Sequence, residues 1–253
     1  MTDLSVLAHA VAAAAACGAG AVNSLAGGGT LISFPVLTAL GVPAVQANAT
    51  NTVSLLPGYF GGVVAQRKDL EGLSATVKPQ LVASAIGGLT GSILLVVTSE
   101  SVFRALVPYL ILLASVLLAV QNKLRGWIFK PGSTHRSHIV LQTISVGLAA
   151  VYGGYFGAGL GIMLIAVLGM FSDLPFNRLN SVKLLLAFVI NLFAAGFLAF
   201  SGKVAWSLVL VMAPAALIGG NLGGRLASWL PPEKLRAFVV VFGFVVAGVY
   251  FAK

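Results

Sequence analysis

The second half of this chain repeats the first half at a constant spacing of 132 residues, with no gap. The matched positions include Gly27 and Gly29 with Gly159 and Gly161, Pro43 with Pro175, Asn48 with Asn180, and Ile86-Gly87-Gly88 with Ile218-Gly219-Gly220. The chain is also 58% hydrophobic and only 8% charged. A long internal duplication in so apolar a sequence is typical of a membrane transporter built from two related halves.

Composition narrows the class of protein further. The 253 residues carry a net charge of +9, from 15 Lys and Arg against 6 Asp and Glu. In a water-soluble protein this excess would suggest nucleic-acid binding, but here the basic residues lie mostly in short loops between apolar runs. The positive-inside rule explains them better, so the expected partner is the lipid bilayer and not nucleic acid.

Residues able to support catalysis or hold a metal are scarce in the sequence. The single cysteine, Cys17, excludes an internal disulfide and any cysteine-based metal motif. No Ser–His–Asp set, carboxylate pair or histidine cluster occurs at a usable spacing. We therefore expect no enzyme activity, no metal and no cofactor.

Eight apolar segments are long enough to cross a bilayer, which takes about 20 residues. They are Thr2–Val22, Val45–Gln66, Ser74–Val97, Ser101–Gln121, His138–Tyr155, Arg178–Phe200, Val204–Leu230 and Glu233–Ala252. The segments predict an all-α polytopic membrane protein with a first transmembrane repeat at 1–121 and a second at 138–253. A basic cytoplasmic linker, 122–137, is expected between them.

Two shorter apolar stretches, Thr30–Gly41 and Gly161–Phe171, each follow a glycine cluster. The first belongs to an apolar run from Leu4 to Leu40, which as one straight helix would measure about 55 Å against a hydrocarbon core of about 30 Å. The run must break, and the glycines are where it can. A half-helix that begins inside the membrane points free N–H groups and a positive dipole end at a cavity, which favours an anion.

The distribution of basic residues helps to decide whether the chain crosses the membrane eight or ten times. If both short stretches cross, 11 basic residues fall on one side and 3 on the other; if neither crosses, the split is 9 to 5. The positive-inside rule favours ten crossings. Five crossings per half make the two repeats inverted in topology, with both termini outside and the linker in the cytoplasm.

The candidate substrate-binding residues group around the two glycine breaks and two matching polar clusters. At the breaks they are Asn23, Ser24, Gly27, Gly28, Gly29 and Thr30 in the first half, and Gly159 and Gly161 in the second; in the clusters they are Asn48, Asn51, Thr52, Asn180 and Lys183. The alternatives are close helix packing for the glycines and inter-helix hydrogen bonds for the amides and hydroxyls. By contrast, Gly87, Gly91, Gly219 and Gly223 are predicted to serve helix packing alone.

Lys183 is the strongest functional candidate among these residues, because it is a charged residue in an apolar helix. It matches Asn51 of the first half. A charged side chain at membrane depth is a functional candidate by default, and it could bind an anion directly. The alternative is that its long stem snorkels to the nearby membrane surface.

The glycine and polar clusters resemble those of a known family. The run Asn23-Ser24-Leu25-Ala26-Gly27-Gly28-Gly29-Thr30, then Gly41-Val42-Pro43 and Ala47-Asn48-Ala49-Thr50-Asn51-Thr52, is similar to the first-half motif of the TauE/SafE sulfite exporter family, also called the toluene-sulfonate uptake permease family. Gly157–Gly161 and Leu179–Lys183 resemble its second-half motifs. The resemblance implies a multi-pass permease of the inner membrane for small sulfur-containing anions such as sulfite, thiosulfate, sulfoacetate or other organosulfonates.

The expected function is therefore transport of a small sulfur-containing anion by alternating access, with protons as a candidate coupling ion. Two rival functions stay open at this point, a passive anion channel and a membrane assembly or accessory protein that does not transport. The sequence leaves the substrate, the direction of transport and the oligomeric state open.

Overall fold

The computed structural model describes residues 5–25, 27–72, 74–128, 139–172, 174–226 and 232–251. These ranges contain ten α-helices and one short 3₁₀-helix at Arg67–Leu70, and they contain no strand. The helices are α1 Val6–Leu25, α2 Thr30–Ala39, α3 Ala44–Ala65, α4 Ser74–Val97, α5 Glu100–Ile128, α6 Ile139–Tyr155, α7 Leu160–Phe171, α8 Phe176–Ala199, α9 Trp206–Leu226 and α10 Pro232–Phe251. The all-α prediction is confirmed.

Five of the helices, α1, α4, α5, α8 and α9, are long and apolar enough to cross a membrane. Large apolar side chains such as Leu148 and Leu210 are exposed on the outside of the bundle, where lipid can cover them. The protein is therefore a multi-pass membrane protein. The two helices that follow the glycine clusters are much shorter, at about 15 Å for α2 and about 18 Å for α7.

The helix boundaries follow the apolar segments closely, with one difference in the predicted linker. Helix α5 continues to Ile128 and so includes the first seven residues of 122–137. Lys123 is exposed near the C-terminal end of this helix. Residues 129–137, which complete that linker, lie outside the described part of the chain.

The helix packing has the same internal symmetry as the sequence. Helix α1 of the first half packs on α9 of the second, and α6 of the second half packs on α4 of the first. A shift of 132 residues converts one of these pairs into the other. Two further pairs, α3 with α8 and α5 with α10, join helices that occupy equivalent positions in the two halves.

The glycines assigned to packing make close contacts at these interfaces, which confirms that prediction. Gly219 lies against the backbone of Cys17 and Gly223 against that of Ala21, where α9 meets α1. In the equivalent pair, Gly87 and Gly91 lie against α6. An added Cβ at any of the four would meet a neighbouring backbone, so only glycine lets these helices approach so closely.

The direction of the equivalent helices follows from their contacts. In the pair of α3 and α8, Gln66 meets Ser181 and the ring of Phe60 lies 5.8 Å from that of Phe188, so these helices run antiparallel. Helices α5 and α10 are also antiparallel. Their contacts are Tyr109 with Phe251 and Ser115 with Gly243.

Candidate functional site

The first glycine break is held in place by Asn23. Its side-chain oxygen Oδ1 accepts a hydrogen bond of 2.8 Å from the backbone N–H of Gly29, and α2 begins at the next residue, Thr30. Gly27 has a φ of +79°, a left-handed backbone that favours glycine. Asn23 therefore ties the end of α1 to the start of the half-helix.

The second break is also a glycine turn followed by a half-helix, but different residues hold it in place. Gly157 and Gly159 have φ values of +77° and +74°, and α7 begins at Leu160. The hydroxyl of Tyr152 donates a 2.7 Å hydrogen bond to the carbonyl of Ala158 and so fixes the turn. The N–H of Gly161 donates to no oxygen of the residues described here, so α7 presents an unpaired donor at its first turn.

The two breaks contact one another directly. A Cβ built on Gly27 would lie 2.9 Å from the Cα of Gly161, and one built on Gly161 would lie 3.0 Å from the Cα of Gly27. The two breaks therefore occupy matching positions in the repeat and also touch each other across the two halves. Gly28 lies beside this contact, against Leu118 and Val239.

The Lys183 side chain reaches this contact between the two glycine breaks. Its side-chain carbon Cδ would be 3.2 Å from a Cβ on Gly161, and the residue as a whole is only 1% exposed. The stem is therefore buried in the bundle and does not snorkel to the surface. Among the described residues, none forms a hydrogen bond or an ion pair with its amine.

The polar cluster of α3 lies near the first break. The side-chain Nδ2 of Asn51 is 3.4 Å from the hydroxyl of Thr30, at the start of α2. Asn48 donates through Nδ2 to the carbonyl of Tyr155 at 2.7 Å, and Thr52 donates to the carbonyl of Asn48. The Oδ1 atoms of Asn48 and Asn51 are buried and have no partner within the described structure.

The backbone positions of the α3 cluster and Lys183 are at different levels along the bundle. Gly62 lies against Leu184 in the antiparallel pair of α3 and α8, so Lys183 stands about level with residue 63 of α3. Asn51 is twelve residues before that level, which corresponds to about 18 Å along the helix. The side chains approach the glycine breaks from these two levels, Asn51 at Thr30 and Lys183 at Gly161.

Two of the predicted residues use their side chains elsewhere. Ser24 donates a 2.9 Å hydrogen bond to the carbonyl of Gly220 and so joins α1 to α9. Asn180 donates through Nδ2 to the side-chain oxygen of Gln66 at 3.0 Å. Both contacts connect the two halves of the chain.

The sequence model of the sulfite exporter TauE/SafE family matches residues 12–250. The chain belongs to the TauE/SafE family. No solved structure gives a significant match.

Curated relatives of this TauE/SafE protein are similar along nearly their whole length. The probable membrane transporter protein ORF9 of Sinorhizobium sp. is 27% identical over 98% of this chain and 94% of its own. A probable membrane transporter protein of Haemophilus influenzae is 23% identical over 88% and 87%. The probable membrane transporter protein YfcA of Escherichia coli K12 is 24% identical over 90% and 84%. These relatives support a membrane transporter.

Sequence reasoning missed a polar network at one end of α3 and α8. The Gln66 side-chain oxygen accepts from Asn180 and from the hydroxyl of Ser181 at 2.9 Å, and Arg178 donates to the backbone carbonyls of Asp69 and Glu71. The only signal for it was a set of polar residues near helix ends, which usually indicates a solvated surface. Across the described residues, no group of His, Cys, Asp and Glu could hold a metal ion.

Proposed function

We propose that this TauE/SafE protein is a permease that moves a small sulfur-containing anion, such as sulfite, thiosulfate or an organosulfonate, across the bacterial inner membrane. The observation that carries the proposal is Lys183, an almost fully buried lysine with no partner among the described residues. A bound anion would supply the missing negative charge.

The energetics of Lys183 favour a bound anion. A lysine at the centre of a membrane helix costs about 2.5–3.5 kcal/mol on insertion scales, and this cost is retained only where the charge has a use. The N–H of Gly161 is unpaired among the described residues, and Gly161 itself lies beside the lysine stem. An oxyanion between these two groups would receive a charge-assisted hydrogen bond and a backbone hydrogen bond.

Alternating access would use two halves of inverted topology, and the helix directions support this arrangement. With ten crossings, equivalent helices of the two halves must run in opposite directions; with eight crossings, they would run the same way. The pair of α3 and α8 and the pair of α5 and α10 are both antiparallel. The 11 to 3 distribution of basic residues favours the same ten-crossing arrangement.

The transport cycle would require the network around Gln66 to open. In this conformation Gln66 and Asp69 join the end of α3 and the following 3₁₀-helix to the start of α8. Lys183 lies in α8 just beyond that junction, so opening of the network would give the anion a short route from Lys183 to the adjacent membrane surface. Separation of the two halves there would expose the anion to that side, driven by the proton gradient or the membrane potential.

Counterflow in proteoliposomes tests this proposal. Vesicles loaded with sulfite or with a sulfonate such as 2-hydroxyethanesulfonate are diluted into the same labelled anion, and uptake is compared with protein-free vesicles. We expect saturable uptake by the native protein and at least about a 100-fold loss in Lys183→Met, because the charge that holds the anion is removed. Lys203→Met is the matched control, since Lys203 is exposed in the loop before α9.

The results separate this function from its rivals. Saturable counterflow that depends on Lys183 supports the permease. Anion currents without saturation or counterflow would indicate a passive channel. If no sulfur oxyanion or sulfonate crosses, or if Lys183→Met transports as well as Lys203→Met, the proposed permease is wrong and an assembly or accessory role becomes the better explanation.

A further inference from the structure

We propose that Asn48 and Asn51 form a second, uncharged binding station that accepts a hydrogen bond from the transported anion. The permease would then select anions that carry an O–H or N–H group. This inference rests on the proposed function and deepens it, because it names a chemical feature of the substrate beyond its negative charge.

The position of the two amides makes them a station separate from Lys183. Asn51 lies about 18 Å along α3 from the level of Lys183, and its side chain contacts the start of α2, whereas the Lys183 stem contacts the start of α7. An anion that crosses the bundle must leave one cluster to reach the other. Depending on the direction of transport, the polar side chains of α3 would bind the anion either after Lys183 or before it.

The Asn48 side chain is the best-defined acceptor of the station. Its Nδ2 donates to the carbonyl of Tyr155 at 2.7 Å, and a carbonyl can only accept, so the amide orientation is fixed. Its Oδ1 must then be the free atom, and that atom is buried without a partner in the described structure. Asn51 presents a second buried Oδ1 of the same kind, although its hydroxyl partner Thr30 would accept either amide orientation.

The chemistry of these groups points to a ligand that is both anionic and a donor. Thr30 opens α2, whose N-terminal end favours negative charge. A buried carbonyl oxygen without a donor costs free energy, which a ligand O–H or N–H would recover. Hydrogensulfite, hydroxyalkanesulfonates and aminoalkanesulfonates combine an oxyanion with such a donor, whereas simple alkanesulfonates do not.

Two matched pairs of sulfonates test the station without any change to the protein. In each pair a terminal hydroxyl replaces a methyl group: 2-hydroxyethanesulfonate against propane-1-sulfonate, and 3-hydroxypropane-1-sulfonate against butane-1-sulfonate. Initial uptake into proteoliposomes is measured for each by mass spectrometry, and kcat/KM is compared within pairs. We expect the hydroxylated member to be favoured by about tenfold or more in at least one pair, because a site built to receive a hydroxyl rejects the analogue that lacks it.

A variant then assigns the preference to Asn48. In Asn48→Ala the ratio within the pair should fall to about one, since the acceptor is removed. Asn191→Ala is the control, because Asn191 is also a buried amide in a membrane helix and, within the described ranges, donates only to the carbonyl of Ala187 in its own helix. It should keep the native ratio.

The outcomes distinguish this inference from the function on which it rests. If all four sulfonates enter in a Lys183-dependent manner with ratios near one in the native protein, the second station is wrong and the permease stands. A native preference that Asn48→Ala retains also overturns the station. If none of the four enters but sulfite shows counterflow that depends on Lys183, the second station is wrong and the permease stands. If sulfite does not cross either, both proposals fail. Should Asn48→Ala not fold, the ratios of the native protein still decide.

Discussion

The contact between Gly27 and Gly161 makes a quantitative prediction, because the chain contains a matched control. Gly27→Ala places a side chain on a left-handed backbone, with φ at +79°, and its Cβ would lie 2.9 Å from the Cα of Gly161. Gly41→Ala imposes the same strain, with φ at +87°, but its Cβ would meet no atom within 4 Å. The difference between the two variants isolates the contact of the breaks.

The expected magnitudes follow from these geometries. Left-handed backbone costs a non-glycine residue about 1–2 kcal/mol, so Gly41→Ala should lose about that much stability. Gly27→Ala adds an overpacking cost of about 1–3 kcal/mol, because the atom it meets is backbone and cannot rotate away. Its total loss should be about 2–5 kcal/mol. In Gly27→Ala the contact between the breaks would also move away from Lys183, so binding of a sulfonate should weaken. In Gly41→Ala that binding should persist.

Two measurements on the purified protein check the prediction. SDS titration in mixed micelles gives the loss in unfolding free energy, and calorimetric titration with 2-hydroxyethanesulfonate gives the dissociation constant. If Gly27→Ala and Gly41→Ala lose the same stability and bind the sulfonate equally, the two breaks do not meet in the working protein, and the reasoning is refuted.

Three further substitutions and one matched control, Gly196→Ala, probe the fold by the same SDS titration. Glu100→Gln should cost about 1 kcal/mol, because the Glu100 carboxylate accepts hydrogen bonds from the first N–H groups of α3; an unchanged stability would mean that this cap does not form. Gly154→Ala should cost about 1–3 kcal/mol, since its Cβ would collide with the Gly88 backbone, whereas Gly196→Ala faces open space and should be nearly neutral. Lys183→Met should stabilise the ligand-free protein by about 1–3 kcal/mol, because it removes an unpaired buried charge; a loss of stability would indicate that the charge has a protein partner.

Much of the fold could be predicted from the sequence because apolar length and glycine position determine it locally. The start of α2 at Thr30 follows from a glycine cluster inside a run too long for one helix. The burial of Lys183 follows from its place in an apolar helix. Both depend on residues close together in the chain.

The parts that could not be predicted depend on contacts between distant segments. Nothing local to Asn180 indicates that Gln66 will accept its hydrogen bond. The separation of Asn51 from Lys183 follows from the antiparallel register of α3 and α8, which the repeat alone does not fix. The sequence suggested one polar site at the breaks, but it did not indicate that Asn51 would contact the start of α2 and Lys183 the start of α7. The continuation of α5 to Ile128 was missed because its polar end reads as a loop.

Equilibrium binding of a sulfonate tests most directly whether Lys183 holds the anion. Purified native protein, Lys183→Arg and Lys183→Met are titrated with 2-hydroxyethanesulfonate in a calorimeter. We predict saturable binding by the native protein, weaker binding by Lys183→Arg, which keeps the charge in a bulkier group, and at least a 100-fold loss, about 2.7 kcal/mol, in Lys183→Met. Binding to Lys183→Met with the native dissociation constant would contradict the account.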